Sequence, residues 1–538
     1  MTYESLFNNY ENTAAPRECE AIFSGSVPGW LNGTLLRNGP GMFKIGETSY
    51  KHWFDGLAYI QRYHIIDGKM YYSARFLESN DYKDNIRANR IVAGSFGTRT
   101  FPDPCKTLFQ RLASYFIPNR SPDNCSVAFA TVGDGIYAVT ESPFIARIDP
   151  ASLEYLEKAD FRKYVKMSLH TNSAHFHMDR DGNLFNIGSC FGIDTQYVIT
   201  RTLNPLREYE VSSGYSIEKA EILSSISATD TLAPSYFHSF AITENYMLLF
   251  ETPLRIDIKK LATTTFTGWT FQSCLYWDEN AITQIVLFDR IKREVLRRKL
   301  VADPFFTFHH ANAYEKNNHI VVDFVKIDNP GNLDSLLLEH MRTGAFRKDG
   351  KFKPYLHRMV IPVDPVIYNK NLGDDLLVDI DFADGCKAIV KENCYVCCKD
   401  RRLCEISMEF PRYCYDRNMQ DYQFVYGSCL VHDDTEKYGV VKVDLKNGTY
   451  TVWNKDSPQQ MCAEPTLVNK PGYTYEDEGV LIVPVVTVPD VDIPYVVILD
   501  SKTMDELCRF IIPQTRIPLG FHNHYIPIAR NLDAKEES

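Results

Sequence analysis

The chain has 538 residues, of which 44% are hydrophobic and 13% aromatic, and its formal net charge is -11. This acidic balance excludes a general nucleic-acid-binding protein, which would present a basic surface, and the apolar content excludes a disordered chain. The length allows about three domains of average size or one large all-β unit. The 32 Phe and 32 Tyr indicate either many strands or an apolar ligand site.

The sequence shows neither a signal peptide nor a membrane-spanning segment. No basic stretch followed by an apolar stretch precedes Ala21, and no run reaches the roughly 18 apolar residues of a spanning helix. The 14 Cys are scattered, as is typical of reduced thiols. We therefore expect a cytoplasmic protein.

Short strand-like runs bounded by turn signals follow one another along the chain. Asp-Gly and Asn-Gly dipeptides separate several alternating runs, and they favour tight hairpin turns because both central residues need positive φ. The clearest runs are residues 59–77, 132–149, 179–189, 442–454 and 479–490. Helical patterns are few and resemble insertions, at residues 104–116, 254–263 and 333–343.

A weak internal repeat accompanies these runs. An apolar strand ends in Asp, a polar turn follows, and a second strand begins, at Asp149, Asp289, Asp444 and Asp500. The unequal intervals exclude a short-period solenoid and favour a β-propeller with insertions of variable length. The pattern alone leaves a sandwich or several barrels open.

Histidines are the residues in which chemistry could lie, since common nucleotide-binding and hydrolase motifs are absent from the sequence. Four of the 14 His occupy apolar or aromatic settings in widely spaced strand-like segments: His175, His238, His309 and His522. One such residue would be read as a core or surface histidine. Four together suggest a joint site, because the strands of propeller blades converge on a central axis. Three of the four have a second histidine one or two positions further along the chain, at His177, His310 and His524. Spacing alone does not decide which member of each pair belongs to the site.

The motifs around these residues resemble the animal branch of the carotenoid cleavage oxygenase family, which includes central and off-centre carotene oxygenases, an insect isomerooxygenase and a retinoid isomerohydrolase. The matching motifs run in order from about Gly29 to Pro527. They are GWLNGTLLRNGPG (29–41), HWFDGLA (52–58), FPDPCK (101–106), YAVTES (137–142), SYFHSF (235–240), FHHANAYE (308–315), EFPR (409–412), AEP (463–465), EDEG (476–479) and GFH (520–522).

The resemblance implies an all-β fold, a seven-bladed β-propeller that spans residues 1–538 as one domain, with helical and loop insertions capping one face over the active site. It implies one Fe(II) per chain, with His175, His238, His309 and His522 as ligands. Glu141, Glu409 and Glu464 would accept hydrogen bonds from the outer ring nitrogens of His238, His309 and His522. Imidazole suits Fe(II), and a carboxylate on the outer nitrogen fixes the tautomer and orientation of the ring.

The resemblance also implies how substrate reaches the metal. The expected lining of an apolar tunnel is Phe54, Phe96, Thr140, Tyr236 and Phe410. Residues 98–117 would form a membrane-interacting insertion with Cys105, Leu108, Phe109, Leu112 and Phe116, because apolar residues at helical spacing beside Lys106 and Arg111 are typical of an interfacial helix. Cys105 matches a cysteine proposed for palmitoylation, and Leu261, Phe266 and Trp269 extend the same patch. We expect peripheral association with intracellular membranes; the oligomeric state stays open.

The activity implied is an Fe(II)-dependent dioxygenase that cleaves a β-carotene-like polyene with O2 to retinal or an apocarotenal. NGPG, HWFDGLA and FHHANAYE favour central 15,15′ cleavage, and coupled trans–cis isomerisation stays open. The alternatives are off-centre 9′,10′ cleavage, a retinoid isomerohydrolase acting on all-trans retinyl esters, and a non-catalytic carotenoid-binding propeller.

Three departures from the family pattern affect the surroundings of the site. Phe176 stands where relatives usually have Pro, Asn523 stands where Gly commonly follows the last ligand, and Ser95 stands where Glu is usual. None removes an expected ligand or carboxylate. Ser95 and Phe176 leave the shape of the tunnel, and with it the substrate and the cleaved bond, undecided.

Overall fold

Antiparallel strands joined by tight turns make up most of the structure. The computed structural model describes residues 2–107, 121–204, 220–296, 299–348, 350–363, 370–431, 435–489 and 492–528. The predicted hairpins are confirmed: Leu57–Ile66 and Lys69–Phe76 flank Asp67 and Gly68, whose φ angles are 50° and 74°.

Seven sheets within the described ranges have four or more strands each. The first joins both ends of the chain, as Thr13–Glu18, Lys69–Phe76, Leu57–Ile66, Gly33–Arg37 and Asn523–Pro527, with Pro40–Met42 beside Leu57–Ile66. The second is Tyr155–Asp160, Phe144–Ile148, Gly135–Val139 and Ala128–Val132. The third is Thr171–Asn172, Leu184–Cys190, Gln196–Thr202 and Ala220–Ser227, with His177–Met178 beside Leu184–Cys190.

The remaining four sheets follow in chain order. The fourth is Ala241–Ile242, Tyr246–Glu251, Thr283–Asp289, Leu300–Ala302, Val396–Lys399 and Lys387–Val390, with Glu294–Leu296 beside Thr283–Asp289. The fifth is His310–Lys316, His319–Lys326, Tyr355–Pro362 and Arg401–Arg402, and the sixth is Glu409–Arg412, Phe424–Ser428, Tyr438–Asp444 and Thr449–Asn454. The seventh is Glu20–Phe23, Glu506–Ile511, Tyr495–Asp500, Gly479–Val486 and Met461–Cys462, with Thr466–Asn469 beside Gly479–Val486. Two small pairs complete the strands of the described ranges, Leu254–Ile256 with Leu275–Trp277 and Lys44–Ile45 with Thr48–Ser49.

Side-chain hydrogen bonds join consecutive sheets. Ser173 donates to the carbonyl of His238, Ser239 to that of Phe308, and Ser428 to that of Cys462. Strands from the two ends of the chain close the ring, because Gly33–Arg37 pairs with Asn523–Pro527 and Glu20–Phe23 pairs with Glu506–Ile511. The predicted β-propeller is therefore confirmed as the fold.

The repeated strand-ending aspartates share one function in the fold. Each stands between two consecutive antiparallel strands of its sheet, and its Oδ1 accepts the backbone amides two and three residues later at 2.7–3.1 Å. Such a turn reverses the chain without a glycine at its first position. The weak repeat in the sequence is thus a repeated turn, at Asp149, Asp289, Asp444 and Asp500.

The helices are short and lie between strands. The α-helices are Asn80–Ala88, Phe161–Val165, Ile258–Thr267 and Leu338–Thr343, and the 3-10 turns are Glu4–Phe7, Trp53–Asp55, Gln272–Cys274, Asp334–Leu336, Ala345–Lys348, Asp381–Ala383, Glu392–Cys394 and Tyr415–Arg417. None of the helices in the described ranges is long and apolar enough to cross a membrane.

The helix predicted over residues 254–263 is wrong at its start. Leu254–Ile256 is a buried strand paired with Leu275–Trp277, and the helix begins only after Asp257, whose side chain accepts the amide of Lys260. The helix predicted over 333–343 is a 3-10 turn followed by Leu338–Thr343. Most of the predicted helix at 104–116 lies outside the described residues.

Candidate metal centre

Four histidines from four different sheets meet at one point on the propeller axis. His309 and His522 come directly before the strands His310–Lys316 and Asn523–Pro527, and His175 and His238 come shortly before His177–Met178 and Ala241–Ile242. One potential ligand atom from each of the four lies within 4.8 Å of the others. Residues hundreds of positions apart therefore form a single cluster.

The ring nitrogens at the centre of the cluster are suited to a metal ion. His175 Nε2 lies 2.9 Å from His238 Nε2, and His309 Nε2 is buried without a hydrogen-bond partner among the described residues. Burial and the neighbouring imidazoles hold the pKa of His175 well below its usual value, and burial lowers the pKa of His522 to about 4. Neutral imidazoles that converge in this way match the donor set of a transition-metal site.

A carboxylate stands behind three of the four rings. His238 Nδ1 lies 2.5 Å from Glu141 Oε1, His309 Nδ1 lies 2.6 Å from Glu409 Oε2, and His522 Nδ1 lies 2.9 Å from Glu464 Oε1. Because a carboxylate only accepts, each Nδ1 carries the proton and each Nε2 keeps its lone pair toward the centre. The described residues give His175 no such carboxylate.

The three carboxylates have different further partners. Glu141 accepts the Tyr236 hydroxyl at 3.0 and 2.9 Å, and Glu409 accepts the amide of Phe410 at 2.7 Å. Glu464 lies against the guanidinium of Arg412. Burial raises the pKa of Glu464, but Arg412, His522 and a backbone amide outweigh it and lower that pKa to about 2.

The second histidine of each pair lies outside the cluster. His177 Nε2 bonds to the carbonyl of Phe240 at 2.9 Å, His310 Nδ1 bonds to the Ser239 hydroxyl at 2.8 Å, and His524 Nε2 bonds to the Thr131 hydroxyl at 3.2 Å. The structure thus brings together the first member of each pair and separates the second.

Aromatic rings cover one side of the histidine cluster. Among the predicted lining residues, Phe410 lies 5.4 Å from His309 and 5.2 Å from His522 between ring centroids, and Phe54 lies 5.4 Å from Phe96. Tyr236 reaches the same region through its bond to Glu141. Thr140, the fifth predicted residue, is half-buried and directly precedes Glu141 in the chain.

Four further aromatic residues belong to this wall and were not predicted. Phe308 lies 5.2 Å from His238 and 6.2 Å from Phe54, and Phe521 lies 5.6 Å from Phe54. Phe271 and Phe306 pack around Tyr236. Phe308 and Phe521 directly precede His309 and His522 in the chain, and this adjacency is the signal that could have identified them.

The predicted membrane patch is described only in part. Cys105 is exposed, whereas Leu108, Phe109, Leu112 and Phe116 lie outside the described residues. Phe266 and Trp269, at the end of helix Ile258–Thr267, expose 69% and 44% of their surface, and Lys260 lies 5.0 Å over the Trp269 ring. Leu261 is partly buried and packs against a hydrophobic core that includes Leu254 and Tyr236.

The β-propeller has four histidines that converge on one point, and three of them are hydrogen-bonded to carboxylates. This combination of fold and site defines a class of metal-binding enzymes. Residues 7–527 match the family model described as retinal pigment epithelial membrane protein. The chain therefore belongs to this family, the carotenoid oxygenases, and the predicted family and enzyme class are confirmed.

Similar proteins come from animals and bacteria. The chain is 36% identical over 524 residues to β,β-carotene 15,15′-dioxygenase of Mus musculus, covering 95% of this chain and 89% of the relative. It is 33% identical over 530 residues to the mitochondrial carotenoid-cleaving dioxygenase of Homo sapiens, covering 96% and 89%. Solved structures of the Synechocystis apocarotenoid oxygenase have the same fold, with a TM-score of 0.74, 19% identity and coverage of 97% and 98%.

Proposed function

We propose that this protein is a non-haem Fe(II) dioxygenase that cleaves one double bond of a β-carotene-like polyene, with one iron per chain. Both atoms of O2 enter the products, so that one C=C bond becomes two aldehydes. Central 15,15′ cleavage to retinal is the favoured outcome, and the mouse relative named for that reaction supports it. The observation that carries the proposal is the cluster of His175, His238, His309 and His522 beside an aromatic wall.

The residues of the site have separable tasks in this proposal. Bound Fe(II) supplies the chemistry by which O2 reacts with a polyene. The four imidazoles carry no charge, and Glu141, Glu409 and Glu464 balance the metal's charge without occupying coordination positions. Phe54, Phe96, Tyr236 and Phe410 line the substrate path, exclude water and orient the polyene. No side chain has to act as a general acid or base.

The same proposal includes the overall arrangement and the membrane. In this proposal the seven larger sheets are the seven blades of one propeller domain, and residues 98–117 are its membrane-interacting insertion. Exposed Phe101, Phe266 and Trp269 form an apolar surface with Lys260 beside them. An insoluble polyene enters from a bilayer through such a surface, so the protein works peripherally on intracellular membranes.

Off-centre cleavage is the second candidate. The human mitochondrial carotenoid-cleaving dioxygenase is nearly as similar to this chain as the mouse central-cleaving enzyme, at 33% against 36% identity. Hydrolysis and isomerisation of a retinyl ester is a third candidate, because the matching family model carries the description retinal pigment epithelial membrane protein.

Product analysis separates these candidates. Fe(II)-loaded protein is incubated with β-carotene in detergent micelles under air, and the products are chromatographed. Retinal as the sole product supports central cleavage, and a pair of unequal aldehydes or ketones moves the cut off-centre. Conversion of an all-trans retinyl ester to retinol under argon, with no loss of any carotenoid under air, contradicts the dioxygenase proposal. Protein loaded with zinc in place of iron is the control for carotenoid bleaching without catalysis.

A further inference from the structure

Glu464 is held by more groups than either of the other two carboxylates at the metal centre. Its Oε1 lies 2.9 Å from His522 Nδ1 and 3.1 Å from Arg412 Nε. Its Oε2 accepts from Arg412 Nη2 at 3.1 Å and from the backbone amide of Asn523 at 2.5 Å. By contrast, Glu409 Oε1 is buried without a partner among the described residues, and Glu141 is bonded by the neutral Tyr236 hydroxyl.

Arg412 connects this carboxylate to the backbone that carries the ligand. Its Nη2 also donates to the carbonyl of Asn523 at 2.7 Å. Arg412 ends the first strand of the sixth sheet, Glu464 lies between two strands of the seventh, Met461–Cys462 and Thr466–Asn469, and Asn523 begins the closing strand of the first. One guanidinium therefore joins three blades at the point where the ring closes.

Asn523 is the residue that departs from the glycine common after the last ligand. Its buried side chain donates to the carbonyl of Glu464 at 2.7 Å and to the Thr466 hydroxyl at 3.1 Å. A glycine would keep the amide bond to Glu464 Oε2 but would lose both side-chain bonds. The carboxamide thus fixes the Glu464 backbone while Arg412 fixes its carboxylate.

We propose that Arg412 and Asn523 are a pair of positioning residues that lock Glu464, and through it the His522 imidazole, onto the metal centre. This inference rests on the proposed function, because it assigns the two residues a role toward a metal held by His522. The lock acts on one of four ligands. His522 is accordingly the ligand whose orientation is fixed most tightly, behind a carboxylate whose charge is largely matched by a cation.

The expected consequence is slow release of the metal. A carboxylate that loses its outer partners can turn away from the imidazole, and loss of such an outer contact typically lowers metal affinity by 10- to 100-fold. Arg412→Gln and Asn523→Ala should each release metal about 10-fold faster than the natural chain. Arg412→Lys should fall between, because its ammonium keeps the positive charge but does not reproduce the position of Arg412 Nη2, which bonds both Glu464 Oε2 and the Asn523 carbonyl.

Metal release and a metal spectrum test the inference without any carotenoid. Each protein is loaded with Co(II), which a structure of the Synechocystis apocarotenoid oxygenase shows in that related protein. The visible absorption spectrum is recorded, and release is then timed by capture of Co(II) with a coloured chelator in excess. Arg412→Gln and Asn523→Ala should alter the spectrum and speed release, and Glu464→Gln should do so at least as strongly.

Arg417→Gln is the matched control, because Arg417 lies nearby and pairs with Glu476 at 3.7 Å rather than with Glu464. Its spectrum and release rate should be those of the natural chain. The lock is refuted if Arg412→Gln and Asn523→Ala release Co(II) at the natural rate with an unchanged spectrum. It is also refuted if they lower only the unfolding temperature of the metal-free protein. Failure of the natural chain to bind Co(II) or Fe(II) at all would instead overturn the proposed function.

Discussion

His309 and His310 are adjacent residues with different surroundings. His309 bonds through Nδ1 to Glu409 and presents a buried, unpartnered Nε2 to the other three histidines, whereas His310 bonds to the Ser239 hydroxyl. Consecutive side chains of a strand point to opposite sides, so only one of the two can face the axis. The contrast provides a test in which position, rather than residue type, decides the result.

His309→Ala should abolish retention of Fe(II) because one of four ligands is lost, whereas His310→Ala should keep about one iron per chain. Metal content is measured after loading, gel filtration and elemental analysis. Circular dichroism of both variants checks that the propeller persists. Equal iron content in the two variants would contradict the ligand set.

At the scale of the structural elements, ion pairs between strands hold adjacent sheets together. Asp400, which follows Val396–Lys399 of the fourth sheet, accepts from His357 and Lys326 of the fifth sheet, at 2.5 and 3.0 Å. Its carboxylate is only 6% exposed. Burial raises the pKa of Asp400, but the hydrogen bond from His357 and the charge of Lys326 outweigh it and lower that pKa from 3.8 to about 2.

Asp400→Asn should lower the free energy of unfolding by about 3 kcal/mol at pH 7, because it leaves Lys326 buried without its counter-charge. Because the pKa of Asp400 is lower in the folded than in the unfolded chain, its ionised carboxylate stabilises the fold fully above pH 3.8. That contribution is lost as the pH falls toward 2. The difference in the free energy of unfolding between the natural chain and Asp400→Asn should therefore be largest at pH 7 and become smaller below pH 4. Urea unfolding at several pH values measures it. Asp303→Asn, which removes a half-exposed partner of Lys399, should change stability by less than about 1 kcal/mol.

The elements also show what the sequence could predict. Hairpins with Asp-Gly or Asn-Gly turns and the strand-ending aspartates were readable, because their signals lie within a few residues. The strand Leu254–Ile256 could not be predicted, since three residues are too few to show the alternation of a strand before the helical pattern begins. The four histidines and their carboxylates followed from motif resemblance. Contacts such as Arg412 with Glu464 join distant blades, and no local pattern encodes them.

At the scale of the whole molecule, exposed aromatic side chains lie at the end of helix Ile258–Thr267 and at Phe101. Phe266 is 69% exposed at the end of its helix, Trp269 follows, and Phe101 is 41% exposed. Gly268 lies against Arg99: a Cβ there would come within 2.5 Å of its guanidinium. The two segments are therefore neighbours and present one surface with both apolar and cationic groups.

Phe266→Glu combined with Trp269→Glu should weaken binding to phospholipid vesicles several-fold, because the aromatic rings would otherwise enter the headgroup region. Co-sedimentation with vesicles containing anionic lipid measures the effect. Ile291→Glu is the control, since Ile291 is 72% exposed in a turn at the outer edge of the fourth sheet. Equal loss of binding in both proteins would argue against a localised membrane surface.

The pairing of Gly33–Arg37 with Asn523–Pro527 has a consequence for biosynthesis. During translation the early strands emerge long before their partner, and the contacts that complete the ring have the largest sequence separations in the fold. His522 is the last ligand to leave the ribosome. A chain that has been synthesised only as far as a residue before His522 can therefore present at most three of the four imidazoles, so a complete set of ligands forms only once the closing strand has been made.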